Sequence, residues 1–446
     1  MTFSILVCIA SLFVLLWLLR RDQLSLGLPI AYLGSLLLIH VPGAVAHAAT
    51  GDRLSGNDYV STGIFYTAIG CLCFVAGVWL AHVTTRVQAQ PRRADRRAFA
   101  YFCLFGGWAF VYGLSPLNRI TSIGAVIETG GAIWMLGTML GLRAAVQAQN
   151  MQRALIWSAA LAVYPVLMLL LGGFLSYGAA AVMVVLSILT IYARTYSRVA
   201  IGILLASFIG ITFFVNYFDH RDDIRESVWG GASMENRMGS ITGMFAGFHL
   251  IDLNNDKDLT ALDVRLNQNM FVGLASARIK QGQVDFLNGE SVVDGVIAMI
   301  PRAMWPDKPT SAGSGQLVAD MTGLRLNEDT SWGVGNVMEF YINFGIPGVV
   351  VGFLAFGWLL GMLDFRAAAA ERRADFKTVI ICFTPAIAMI NPGGSLVEMT
   401  GGAAAALLAA LGWQWGWGMW TSREQATRAA QARLTRGSQA GPGPAI

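Results

Sequence analysis

Apolar runs of about 20 residues, each long enough to cross a bilayer, recur along this chain and leave it few ways to fold. In lipid the backbone must satisfy its own hydrogen bonds, so only helices and closed barrels span. The runs lack strand-like alternation, which selects helices. Eleven spans are expected, at 2–19, 24–46, 60–83, 98–114, 123–142, 154–171, 179–193, 199–215, 340–363, 378–391 and 402–420. A content of 55% apolar and 13% charged residues, with mean hydropathy +0.55, sets aside the soluble domains that 446 residues would otherwise suggest. Arg20 and Arg21 follow the first run, the wrong order for a signal peptide, and the run before Ala46-His47-Ala48 is too long for an h-region. The N-terminus is therefore expected to stay in the mature protein.

The basic residues orient these helices. With eleven spans, Arg20–Arg21, Arg86 with Arg92–Arg97, Arg143–Arg153, Arg194–Arg198, Arg366–Lys377 and Arg423–Arg436 all fall on one side, expected to be the cytoplasm. Only Arg53 and Arg119 stray among the short loops. The N-terminus then faces outward and the basic tail inward. The expected organisation is helices 1–8 over 1–215, a large external loop over 216–335, helices 9–11 over 336–420, and a disordered tail over 421–446. The net charge of +4 resides in the inner loops and does not signal nucleic acid.

The 216–335 segment is far longer than an ordinary connection and richer in acids than bases, which marks a functional loop. Short helices are expected at Met270–Lys280 and Ser291–Ile300, packing on the membrane face. Cys8, Cys71, Cys73, Cys103 and Cys382 all lie in apolar runs and read as buried small hydrophobes, not a disulfide framework. The Asp252–Asp263 run partly fits a calcium loop, but Lys257 stands where Gly is needed and Asp263 where Glu is usual; a solvated acidic turn is the stronger reading. His220 and His249 show no ligand spacing, so no metal site is expected. No Walker loop or dinucleotide fingerprint is present, and no cofactor is expected.

The chemistry-bearing residues gather between Gly295 and Gly345. Asn336, Glu339 and Asn343 share one helical face, and Pro347, which cannot donate to the Asn343 carbonyl, should kink the helix there. Glu339 is a candidate base or substrate anchor; the competing reading is an interfacial cap left in water. Pro301-Arg302 and Trp305-Pro306-Asp307-Lys308-Pro309 form a stiff segment. Arg302 and Lys308 can hold a phosphate and Trp305 can stack on a sugar, or all three can be interfacial anchors. Glu128, inside the fifth span, is either functional or snorkelling to the interface.

The run Ile300–Pro309, preceded by Asn288-Gly-Glu-Ser291 and followed by Glu339-Phe-Tyr-Ile-Asn-Phe-Gly345, resembles the Wzy-type polymerases, which join O-antigen and exopolysaccharide repeat units in bacterial inner membranes. The chain departs from them at Leu171–Tyr177, where relatives often carry an Arg. The resemblance implies an all-α, GT-C-like polytopic glycosyltransferase that works outside the membrane without a metal. It would move a growing glycan from undecaprenyl pyrophosphate to a lipid-linked acceptor, with chain-length regulator and flippase proteins as partners. Glu339 would be the base and Asp307 the reserve; Arg302 and Lys308, with Arg265 or Arg278, would offset leaving-group charge. Trp305, Tyr341 and Asn343 would line the substrate site. An O-antigen ligase, for which His249 is the discriminating residue, and a transporter are the alternatives; a transporter should place charges midway along its helices.

Overall fold

The computed structural model describes residues 1–22, 25–85, 96–114, 116–117, 121–172, 196–309, 313–325 and 332–439. All regular structure among them is helical. In chain order the α-helices are α1 (Thr2–Asp22), α2 (Leu28–Thr50), α3 (Asn57–Thr84), α4 (Arg96–Gly113), α5 (Thr121–Glu128), α6 (Gly130–Gln147), α7 (Met151–Gly172) and α8 (Tyr196–Trp229). The loop helices are α9 (Met234–Ala246), α10 (Asp256–Arg265), α11 (Asn269–Lys280), α12 (Glu290–Ala298) and α13 (Ser314–Thr322). Last come α14 (Asn336–Arg373), α15 (Phe376–Ala388) and α16 (Leu396–Gln439).

Among the described residues, six segments are long and apolar enough to cross a membrane: Thr2–Arg20, Leu28–Thr50, Asn57–Thr84, Ile123–Gln147, Asn336–Arg373 and Leu396–Ser422. The expected spans at 98–114, 154–171 and 199–215 coincide with α4, α7 and part of α8, and 378–391 with the shorter apolar α15. The expected span at 179–193 lies outside the described residues, as do Arg86, Arg92, Arg93, Arg119, Arg194 and residues 173–177. Three boundaries differ from expectation, one of them at α16, which continues past 420 through the expected disordered tail to Gln439. Helix α8 continues past 215 to Trp229, so the loop begins inside a helix. Within the fifth span a single turn residue, Thr129, divides the helix, so Glu128 is the exposed last residue of α5 instead of lying about two turns inside one helix.

The apolar core centres on α14 and α3, whose backbones meet at glycines. A Cβ on Gly77 would strike the Leu354 carbonyl, and one on Gly357 the Phe74 carbonyl. Small residues at such crossings maximise backbone contact where no hydrophobic effect drives association. At the end of the bundle away from the loop, three elements converge on buried charge. Arg143 of α6 lies 3.6 Å from Glu371 of α14 and donates to the Ser25 carbonyl at 2.8 Å. Asp364 accepts from the Ser25 hydroxyl at 2.5 Å and from the Leu26 and Leu28 N–H groups at 3.0 and 3.3 Å. Such groups lie inside a membrane protein only when paired or bonded to backbone.

Proline explains how the loop attaches. Pro42 interrupts the hydrogen-bond ladder of α2. The opened groups bond to the loop: Gly43 N–H donates to the Leu266 carbonyl at 3.1 Å, and Gln268 N–H donates to the Ile39 carbonyl at 3.0 Å. Broken helices at membrane depth persist when neighbours re-satisfy the freed groups, and here the neighbour is the loop. His40 and His47, seven residues apart on one face of α2, reinforce it. His40 Nδ1 contacts Asn269 Oδ1 at 2.8 Å, and His47 Nε2 contacts Asp263 Oδ1 at 2.8 Å. Both expected loop helices form, within a residue or two of expectation, as α11 and α12.

Candidate functional site

Docking of 266–269 onto α2 brings Gln268 to the turn before α14, where its Nε2 reaches the Gly333 and Gly393 carbonyls, each at 3.5 Å. Helix α14 starts there. Its expected polar face forms, and all three residues are buried. Asn336 accepts from Tyr32 OH at 2.7 Å. Asn343 accepts from Gly289 N–H at 3.0 Å and donates to Ser291 Oγ at 2.8 Å and to the Glu339 carbonyl at 2.7 Å. The expected kink lies at Phe344–Gly345, just before Pro347; Gly345 has φ +66°, a conformation that favours glycine.

Glu339 is 0% exposed, which removes the reading of a cap left in water. Its Oε2 accepts the Leu396 N–H at 2.7 Å, satisfying a free donor at the start of α16. Its Oε1 has no hydrogen-bond partner, although Ser291 neighbours the carboxyl. Glu398 and Asp294 act on the same group electrostatically. Glu398 completes a capping box with Ser395, their reciprocal bonds being 3.2 and 3.4 Å, and accepts from Ser314 at 2.6 Å. One buried carboxyl is thus fixed by one oxygen and available through the other.

Helix α12 covers this carboxyl. Its start touches Asn343 through Ser291, its middle crosses Leu396 at Gly295, where Thr400 bonds the carbonyl, and its end reaches Gly401. At about 1.5 Å per residue, the seven steps from Ser291 to Ala298 carry the chain about 10 Å along α16. Val293, Val296, Met299, Ile300 and Met304 are left exposed, an apolar strip suited to a lipid interface. The Arg302–Lys308 turn hangs from this end. Lys308 Nζ donates to the Ala298 and Ile300 carbonyls at 3.1 and 3.0 Å, capping α12, and Arg302 donates to the Lys308 carbonyl at 3.1 Å. Partial burial and then the Arg302 charge lower the Lys308 pKa. Asp307 and Trp305 are exposed beside them.

The other expected site residues lie elsewhere. Tyr341 faces away from Glu339, stacked on Tyr66 at 4.6 Å and accepting from Ser276 at 2.9 Å. Arg278 bonds the Asp320 carbonyl at 2.7 Å and Gln283 at 3.2 Å, tying α11 to α13. Arg265 joins two arginines that sequence spacing did not reveal. Burial, then Arg221 and Arg225, lower its pKa to about 10. It lies 4.4 Å over the Trp332 ring and 5.7 Å over Phe218, which Arg221 also covers at 4.5 Å. Arg221 also pairs with Asp222 at 3.0 Å, and Asp222 acts on Arg265 as well, so part of this positive charge is offset.

The acidic run is not a calcium loop. Asp252 binds Asn254 in a turn, Asp256 pairs with Arg53 at 2.8 Å, Asp258 turns inward to His249 and Asp263 to His47, so their oxygens diverge. Nor is it a simply solvated turn, since Asp258 is fully buried. His249, expected to stand alone, meets Asp258 and Asp219; Asp258 beside the ring raises its pKa.

Fold and site together define a helical membrane protein whose large polar segment folds onto one end of its apolar helices and roofs a buried glutamate. Residues 54–372 match the family described as Domain of unknown function (DUF8712), and the chain belongs to it. No curated protein and no solved structure matches the chain.

Proposed function

We propose that the chain is a polysaccharide repeat-unit polymerase of the Wzy type, with eleven membrane spans, a GT-C-like architecture and its 216–335 loop on the outer face of a bacterial inner membrane. The donor is a glycan on undecaprenyl pyrophosphate and the acceptor a second lipid-linked repeat. The acceptor hydroxyl oxygen bonds to the anomeric carbon, the bond from that carbon to the pyrophosphate oxygen breaks, and the hydroxyl proton passes to Glu339. Arg302 and Lys308, at the apolar end of α12 where a lipid pyrophosphate would lie, offset the charge on the leaving group.

The observation that carries this reading is the Glu339 carboxyl, anchored through Oε2 and without a partner at Oε1. A proton acceptor of this kind is positioned and shielded from bulk water until substrate arrives. Because the group is 0% exposed, α12 must shift from α14 to admit the acceptor. The test is conversion of single lipid-linked repeats by the purified protein in lipid. Polymer made from repeats alone, with Arg302→Ala worse than Arg302→Lys, which keeps the charge but not the fork, supports the proposal. Transfer only to a different acceptor lipid would make the protein a ligase, and movement of repeats without new bonds a transporter; either outcome overturns it.

A further inference from the structure

Away from Glu339, where α8 leaves the apolar bundle, three side chains with ligand chemistry converge. One coordinating atom from each of Asp219, His249 and Asp258 lies within 4.8 Å of the others. Thirty residues separate the first two in sequence, so only the folded chain assembles the group. We infer that Asp219, His249 and Asp258 form a binding site for a divalent cation of the zinc class, joining α8 to α10 and to the segment that leads into it.

Distance supports the assignment. Bonds of about 2.0–2.1 Å in a tetrahedral zinc site place neighbouring ligand atoms about 3.4 Å apart, and His249 Nε2 lies 3.1 Å from Asp258 Oδ1. Asp219 is exposed on the helix surface, and its carboxylate, which has an oxygen within 4.8 Å of the other two ligand atoms, supplies the third protein ligand. Solvent can supply the fourth, because the His249 side chain keeps 39% of its surface exposed.

The surrounding bonds hold the ligands as a metal's outer shell does. Asn216, fully buried and one turn before Asp219, grips the His249 backbone from both sides: its Oδ1 accepts the His249 N–H at 3.0 Å and its Nδ2 donates to the His249 carbonyl at 2.8 Å. Asp258 is fixed through its second oxygen by the Asp252 N–H at 2.8 Å, which leaves Oδ1 directed at the imidazole. The Gly247 backbone is a further partner of the ring. An imidazole with two carboxylates suits zinc-like ions better than calcium or magnesium, which take oxygen ligands. The ion would fasten α10, which ends at Arg265, to α8, which carries Arg221 and Arg225. This inference does not depend on the polymerase reading.

The test is metal binding by the full-length protein in lipid nanodiscs after chelator treatment, titrated with Zn²⁺ and, separately, with Co²⁺. The expected result is one equivalent of Zn²⁺ per chain, with a visible Co²⁺ spectrum of tetrahedral intensity. His249→Ala should abolish both, and Asp219→Asn should weaken Zn²⁺ at least tenfold. Asp219 is exposed, so its variant remains informative if His249→Ala fails to fold. Less than stoichiometric binding by the wild type, unchanged affinity in Asp219→Asn, or a preference for Ca²⁺ or Mg²⁺ would overturn the inference.

Discussion

Glu339→Gln and Glu339→Ala separate the two tasks that the buried carboxyl can perform. Gln keeps an oxygen for the Leu396 N–H, now 2.7 Å from Oε2, and nearly the same volume. The exchange of a charged for a neutral hydrogen bond should cost about 1 kcal/mol. Ala leaves that N–H unsatisfied, at roughly 1–3 kcal/mol, and opens a cavity beside α12, bringing the loss to about 2–5 kcal/mol. Denaturant unfolding in detergent should therefore rank the proteins wild type, Gln, Ala, with Gln close to wild type. Activity should rank them otherwise. Gln cannot accept the hydroxyl proton, so polymer formation should fall roughly 10²–10⁴-fold in both variants. Near-normal polymer from Glu339→Gln would refute the base role and leave Asp307 as the candidate. A Gln variant as unstable as Ala would refute the hydrogen-bond reasoning.

Two further expectations concern the frame around the site. Arg143→Met should destabilise the protein by about 3–5 kcal/mol in the same unfolding assay, because it leaves the buried Glu371 and Asp364 without their cation; a loss under about 1 kcal/mol would make the cluster incidental. Alkaline phosphatase fused after Asp285 should be active and after Thr421 inactive; the reverse pattern would overturn the orientation on which the proposed chemistry depends.

Much of the helical scaffold is legible in the sequence. Apolar runs match α1–α3 and α14 because lipid allows the backbone little choice, and α11 and α12 appear as short amphipathic stretches. The shared face of Asn336, Glu339 and Asn343, and the kink before Pro347, follow from helical period and from the missing proline N–H. The break at Thr129 falls in Glu128-Thr129-Gly130-Gly131, a charge and two weak helix formers that an apolar span can also carry without breaking. Pro42, His40 and His47 carry no reading of their own in the sequence, where they stand as an isolated proline and two polar residues in an apolar run. What they bind is not legible there, since Leu266–Asn269 lies more than 200 residues away.

Hydropathy and periodicity are local properties, so they suffice to define the class of protein, a set of membrane-type helices with one large polar segment. Packing between distant segments selected which candidates meet. It set Glu339 against the first turn of α16 and beneath α12, turned Tyr341 to the other side of α14, and placed Arg302 and Lys308 at the far end of α12. It also gathered Arg265 with Arg221 and Arg225, and Asp219 with His249 and Asp258. These groupings depend on long-range packing, on how α12 lies across α16 and how the loop enters α2 at Pro42. No spacing within one segment encodes the distance between two.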